Sequence, residues 1–238
     1  MKANPYQPVA ARIEDVVAET PTIKTFVLRP ERPLPFRAGQ FVELTVPGVG
    51  EAPFTPSSSP AASERLELTI MRVGRVTERL HGLPAGAVVG LRGPYGQPYP
   101  LDRFAGREVL IVGGGVGLAP LRALLFALLE DAGRYRRIIL RYGARTPDDL
   151  VYRQALTTAW GRGDVLDLMI TVDKGDATWP GHVGVVTTIL DKGKLDADVS
   201  AGVAVVCGPP VMMKFTTLKL LELGYAPGRI YLSMEKNM

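Results

Sequence analysis

At 238 residues, with 46% hydrophobic and 22% charged residues, the chain can bury a real core in one large domain or two ordinary ones, and its composition excludes a disordered tail. A formal net charge of +4 without any Lys/Arg cluster argues against nucleic-acid binding, although a shallow positive patch for an acidic protein partner stays open. With one cysteine, Cys207, and two distant histidines, His81 and His182, no disulfide framework and no complete His/Cys metal cage is expected, so no metal site is assigned.

The opening MKANPYQPVAARIEDVV lacks the apolar core of a signal peptide. Strands are expected at Ala11–Val17, Thr25–Leu28, Phe41–Val46 and Leu66–Arg72, separated by Pro/Gly/Ser punctuation such as PERPLPFRAGQ and PGVGEAP. A short helix is expected near Val76–His81. Short strands at this spacing predict an antiparallel barrel or sandwich.

After Leu101 the rhythm changes. REVLIVGG reads as a buried strand and APLRALLFALLEDAG as a helix stopped by Gly133. Next come the strand RRIILRYGA, a helix from about Asp148 to Trp160, the strand VLDLMITV and a helix over about Val183–Leu190. GVAVVCG, the helix PVMMKFTTLKLLELG and RIYLSM complete the pattern. Alternating strands and helices predict a doubly wound parallel sheet, with the boundary between domains 1–101 and 102–238. The apolar stretch Val109–Leu129 imitates a membrane span, but Gly113, Gly114, Gly115, Gly117 and Pro120 interrupt it. A strand–turn–helix explains the same apolarity, and the expectation is a soluble, cytoplasmic protein with no membrane insertion.

The sharpest local signal is Gly113-Gly114-Gly115-Val116-Gly117-Leu118-Ala119-Pro120, at the first strand–helix junction of the second half. Bare backbone there can approach a pyrophosphate, and the helix N-terminus offers N–H groups and positive dipole; a tight turn chosen for packing is the alternative. The next strand ends Arg141-Tyr142-Gly143-Ala144-Arg145 without the acid that would hold the ribose hydroxyls of NAD. Arg145 suits a 2′-phosphate, which favours NADP slightly, or it is a solvated loop charge. Cys207-Gly208-Pro209-Pro210 ends another strand, where open parallel sheets bind ligands; Cys207 otherwise reads as a small core residue.

These pieces resemble the ferredoxin–NADP reductase superfamily over nearly the whole chain, through the G-G-G-x-G-x-A-P turn and the late C-G-P-P. YGARTPDDLVY at 142–152 and VCGPPVMMKF at 206–215 look most like the diaphorase (gamma) subunits of cytoplasmic sulfhydrogenase-type nickel–iron hydrogenases. Related electron-transfer subunits serve dihydroorotate dehydrogenase and anaerobic sulfite reductase. The resemblance implies an antiparallel FAD-binding β-barrel followed by a doubly wound NAD(P)-binding α/β domain. It also implies an NAD(P)H-dependent flavin oxidoreductase.

In that family FAD is gripped by an R-x-Y-S/T strand and a G-x-x-S/T turn. Here the strand is Ala52-Pro53-Phe54-Thr55. The resemblance places Phe54 beside the isoalloxazine and Thr55 at its reactive edge. The pyrophosphate-pairing arginine is replaced by Ala52, a departure that Arg72 is positioned to compensate. The turn is Gly74-Arg75-Val76-Thr77, a second phosphate cradle, or simply a turn with a Thr cap. The nicotinamide is expected near Cys207, with Gly208 and Pro209 beside it, and Thr55 and Cys207 tuning the geometry of hydride transfer.

The implied partner is an iron–sulfur electron-transfer protein or a hydrogenase-type subunit in a hetero-oligomer. That branch continues past a segment like YLSMEKNM into a cysteine-rich loop holding a [2Fe–2S] cluster, whereas this sequence stops at Met238 before any such cysteine. Either the sequence is part of a longer chain or the protein lacks its own cluster. Rival readings are a free-standing ferredoxin or flavodoxin reductase, a regulatory subunit that has lost its flavin, and a membrane-linked component.

Overall fold

Apolar side chains alternating with polar ones draw the first half of the chain into strands. The computed structural model describes residues 7–62, 64–158, 160, 165–195 and 197–234. β1 (Val9–Thr20), β2 (Ile23–Pro30), β3 (Phe41–Val46), β4 (Gly50–Phe54) and β5 (Leu66–Met71) are followed by helix α1 (Arg75–His81) and strand β6 (Val88–Tyr95). They form one antiparallel sheet in the order β4-β3-β6-β1-β2-β5. Along β3, Val42, Leu44 and Val46 are buried, and along β5, Leu66, Leu68 and Ile70, as the two-residue period of a half-buried strand requires. With Ile13, Phe26, Leu28, Leu80 and Leu91 they make the core of this unit.

The two edge strands do not stay apart. Ser57, three residues beyond β4, donates its N–H to the Glu67 carbonyl of β5 at 2.8 Å, and the Ser58 hydroxyl accepts the Glu67 N–H at 3.1 Å. These bonds draw the sheet toward the closure of a barrel, which leaves less edge for unwanted pairing. β4 was foreseen only through the family resemblance, over Ala52–Thr55, and β6 was not foreseen as a strand. Pro53 and Gly50 in the one and Gly90, Gly93 and Pro94 in the other depress strand propensity, which an edge position and cross-strand pairing override.

The second half opens with the short helix α2 (Leu101–Phe104) and continues through β7 (Glu108–Gly114), α3 (Leu118–Glu130), β8 (Arg137–Ala144), α4 (Arg153–Thr157), β9 (Leu166–Val172), β10 (His182–Val183), α5 (Lys192–Leu195), β11 (Val203–Cys207), α6 (Pro210–Leu223) and β12 (Ile230–Leu232). Its strands are parallel, in the order β10-β9-β8-β7-β11-β12. Val109–Val112, Ile138–Leu140 and Val203–Val206 are buried without alternation, because helices cover both faces of such a sheet. Met213, Leu220 and Leu223 of α6 pack on Leu110, Val112, Ala204 and Val206. Inside the sheet, Arg141 of β8 is 1% exposed and pairs with the Asp167 carboxylate through two N–H donors, at 2.9 and 3.1 Å.

Two helical expectations need correction. The helix expected over Asp148–Trp160 is a 3-10 turn at Pro147–Asp149 and then the five residues of α4, because Tyr152 adopts a left-handed conformation (φ 57°) that breaks the helix. The helix expected over Val183–Leu190 is the end of β10 and a 3-10 turn at Val186–Ile189, and α5 begins only beyond it. Its run Val185-Val186-Thr187-Thr188-Ile189 is β-branched throughout and loses side-chain freedom in a helix.

Residues up to Tyr99 and residues from Pro100 onward are the bulk of two compact units. Val109–Leu129 is the strand β7, the glycine turn and α3, and no helix among the described residues is long and apolar enough to cross a membrane.

Candidate functional site

The strand order of the parallel sheet fixes where a ligand can lie. From β7 the chain winds outward through β8, β9 and β10, then returns to the other flank of β7 as β11 and β12. The reversal falls between β7 and β11, and the connections leaving two such strands diverge to open a crevice beyond their carboxyl ends. Gly113 of β7 is in register with Cys207 of β11. The two motifs singled out in the sequence therefore end adjacent strands at the switch point.

Their glycines do different work. A Cβ on Gly117 would lie 2.5 Å from the Cys207 carbonyl oxygen and 2.7 Å from Gly208 Cα. One on Gly208 would lie 2.4 Å from Met212 Sδ and 3.2 Å from Gly114 N. These glycines let the two strand ends touch backbone to backbone. Gly115 is another case: its φ is +53° and a Cβ there would meet nothing within 4 Å, so bare backbone faces open space. Gly113 and Gly114 are buried, as are Leu118 and Ala119, while Pro120 is half-buried in the first turn of α3, where a missing N–H costs nothing. Leu118 gives its N–H to the Gly115 and Val116 carbonyls, so what the helix start offers a ligand is the positive end of its dipole behind the open turn. A 13-residue helix behind an open glycine turn is a cradle that fits a pyrophosphate.

Cys207 is buried and carries no disulfide, Gly208 is half-buried and Pro209 is exposed at the start of α6. Arg145 is exposed beyond β8, with its guanidinium 3.2 Å from the Asp149 carboxylate. That carboxylate also accepts the Thr146 hydroxyl at 2.9 Å. The sequence reading gave Tyr142 no role; its hydroxyl bonds the Gly115 carbonyl and the Val151 N–H. Only its place inside YGARTPDDLVY hinted at one.

In the first unit, Phe54 ends β4 and Thr55 follows it; both are half-buried, and the Thr55 hydroxyl makes no hydrogen bond among the described residues. The Gly74 turn lies beside the other end of the same strand, since a Cβ on Gly50 would be 3.5 Å from Val76 Cγ2. Arg75 Nη2 donates to the Val49 carbonyl at 2.9 Å. Gly74 is open, with nothing within 4 Å of an added Cβ. Arg72 is exposed, and neither it nor Arg75 has a carboxylate partner among the described residues. Two unneutralised guanidiniums beside an open glycine fit an anionic ligand, and Arg75 was missed because it sits inside the turn motif.

Thr77 is buried and already engaged: its hydroxyl accepts the N–H groups of Val73 and Gly74 and donates to the Gly74 carbonyl. It shapes the turn. Behind it, burial holds the His81 imidazole below its ordinary value, helped by the charges of Lys24 and Arg72. The His81 Nε2–H donates to the Ile70 carbonyl at 2.9 Å.

Known proteins match this arrangement along its length. The oxidoreductase FAD-binding domain family matches residues 10–99 and the oxidoreductase NAD-binding domain family residues 111–217. The chain is 35% identical to the sulfhydrogenase 2 subunit gamma of Pyrococcus furiosus, over 99% of this chain and 86% of that protein. It is 33% identical to a probable dihydroorotate dehydrogenase B (NAD(+)) electron transfer subunit of Methanocaldococcus jannaschii, over 98% and 79%. The solved structure of the ferredoxin reductase in carbazole 1,9a-dioxygenase superposes with a TM-score of 0.81 at 26% identity, over 98% of this chain and 70% of that one.

Proposed function

Because the chain belongs to the ferredoxin-reductase-type FAD- and NAD-binding oxidoreductases, the family that takes in the sulfhydrogenase gamma subunits, we propose that it is the electron-transfer subunit of a hydrogenase-type hetero-oligomer, passing electrons between NAD(P)H and an iron–sulfur partner. Residues 1–101 form the flavin domain and 102–238 the nicotinamide domain. The observation that carries the nicotinamide assignment is the register of Gly113 with Cys207 at the point where strand order reverses.

When bound, FAD supplies the redox chemistry, taking a hydride from NAD(P)H and releasing electrons singly. The chain supplies grip and orientation. Gly74 and Val76 leave room for the flavin pyrophosphate, Arg72 and Arg75 neutralise it, and Thr77 holds that turn in shape. Phe54 packs against the ring system and the Thr55 hydroxyl bonds its polar edge. Gly113, Gly114, Gly115, Gly117 and the backbone of Leu118, Ala119 and Pro120 hold the dinucleotide pyrophosphate, while Cys207, Gly208 and Pro209 seat the nicotinamide. Arg145 is the residue for a 2′-phosphate.

The test is purification from the native source followed by cofactor analysis. The reading expects flavin absorbance bleached by NADH or NADPH, with iron and sulfide in co-purifying subunits. A colourless protein that cannot be reconstituted with FAD would overturn it. Full diaphorase activity in a protein that purifies alone would select the free-standing reductase instead, a reading favoured by the likeness to a dioxygenase ferredoxin reductase.

A further inference from the structure

Tyr142 is fully buried at the end of β8, in register with Gly113. Its hydroxyl donates to the Gly115 carbonyl at 3.2 Å and accepts the Val151 N–H at 3.1 Å. A phenol has one proton to give and lone pairs to receive, so both bonds are made at once. Gly115 is the left-handed residue of the turn, open to its surroundings. Val151 closes the stretch that begins at Arg145, where Asp149 gathers Arg145 and the Thr146 hydroxyl. One oxygen thus ties the glycine turn to the loop that carries the arginine.

We propose that Tyr142 is a positioning residue for NAD(P)H, a strut that fixes the Gly115 turn and the Arg145–Leu150 loop in the geometry the dinucleotide needs before it arrives. The proposal rests on the reading that the Gly113–Gly117 turn holds the pyrophosphate. A glycine turn without side chains has many competing conformations, and freezing them on binding weakens affinity. The buried hydroxyl removes that freedom in advance. Tyr142 touches no reacting atom, so it acts on binding and leaves the chemical step alone.

The experiment uses the full, FAD-loaded chain and compares wild type, Tyr142→Phe and Gly115→Ala by calorimetric titration with NADH and with NADPH, by steady-state kinetics and by hydrogen exchange. Phenylalanine fills the same space but leaves the Val151 N–H without its acceptor and takes the phenol donor from a Gly115 carbonyl that keeps the Leu118 N–H. Tyr142→Phe is expected to raise the dissociation constant and KM roughly fivefold, the worth of about one hydrogen bond. Its kcat at saturation should be unchanged, with faster exchange at Gly115–Gly117 and Val151. Wild-type affinity in a folded Tyr142→Phe variant overturns the proposal. If that variant does not fold, the wild type decides: NAD(P)H must protect the Gly115–Gly117 and Val151 amides together, and protection of the turn alone overturns the strut. Gly115→Ala separates the two levels. Weakened binding there with normal binding in Tyr142→Phe sinks the strut only, whereas normal binding in both sinks the pyrophosphate assignment.

Discussion

Gly117 and Cys207 approach so closely that a single methyl group on the glycine would lie 2.5 Å from the cysteine's carbonyl oxygen, well inside contact distance. That approach seats the first turn of α3 against the end of β11. Gly117→Ala must push strand and helix apart, and overpacking of this kind costs about 1–3 kcal/mol. A Cβ at Gly113 would meet Leu121 and Tyr142 at 3.4 Å, an ordinary contact. Urea unfolding should therefore show a clear loss for Gly117→Ala and a much smaller one for Gly113→Ala. Equal losses would mean that the close approach does not govern the turn.

Thr55 leaves β4 with its hydroxyl unused by any described residue. As a hydrogen-bond donor to the flavin edge where charge develops on reduction, it should be worth about 1 kcal/mol to the transition state. Thr55→Ala is expected to slow NAD(P)H-driven reduction of a dye acceptor about fivefold while FAD stays bound. Rapid-mixing spectroscopy of flavin bleaching measures this directly, and Thr55→Ser should restore the rate.

Arg145 is the one charged side chain proposed to read the ribose, and Asp149 holds it in place at 3.2 Å. Reversing its charge adds repulsion toward a 2′-phosphate, whereas an acid beyond this strand can accept from the ribose hydroxyls of NADH. Arg145→Glu should lower kcat/KM for NADPH about tenfold or more and that for NADH far less. Identical losses with both nucleotides would assign Arg145 to the loop's own structure.

The pair between buried Arg141 of β8 and half-buried Asp167 of β9 is a separate matter from the site. Asp167→Asn keeps the shape of the side chain but strands the Arg141 guanidinium, which is 1% exposed. An uncompensated buried charge costs about 3 kcal/mol, so the unfolding midpoint should fall steeply while NAD(P)H affinity in the folded protein holds.

How much of this was legible in the sequence depends on range. The runs Val109–Val112 and Val203–Val206 are apolar without interruption, and their burial follows from local composition alone. The glycine turn and C-G-P-P were equally visible, but their adjacency was not: only the strand order places Gly113 beside Cys207, across more than ninety residues of chain. The helices expected over Asp148–Trp160 and Val183–Leu190 were misjudged because a left-handed Tyr152 and a β-branched run are weak signals beside a favourable apolar period. Tyr142 is harder still, since a tyrosine in a buried strand reads as core until its hydroxyl is seen to bind the turn.

His81 links the flavin turn to pH. Burial, and then the nearby positive charges of Lys24 and Arg72, favour the neutral imidazole, while the Nε2–H bond to Ile70 opposes them and loses. Its folded-state pKa therefore lies below the ordinary 6.5 that the unfolded chain recovers. The unfolded state then binds the proton more readily, so the contribution of His81 is complete above pH 6.5 and is lost as pH falls toward the lower folded value. A variant is needed to isolate the effect. His81→Gln carries no titrating group, yet its amide N–H can still reach for the Ile70 carbonyl. Comparing urea midpoints at neutral and mildly acidic pH, the wild type should lose more stability than His81→Gln over that interval. The flavin held by the Gly74 turn should be released more readily on the same acid side, because α1, which ends in His81, begins at that turn. Parallel pH dependence in the two proteins would show that the imidazole is not the group that titrates.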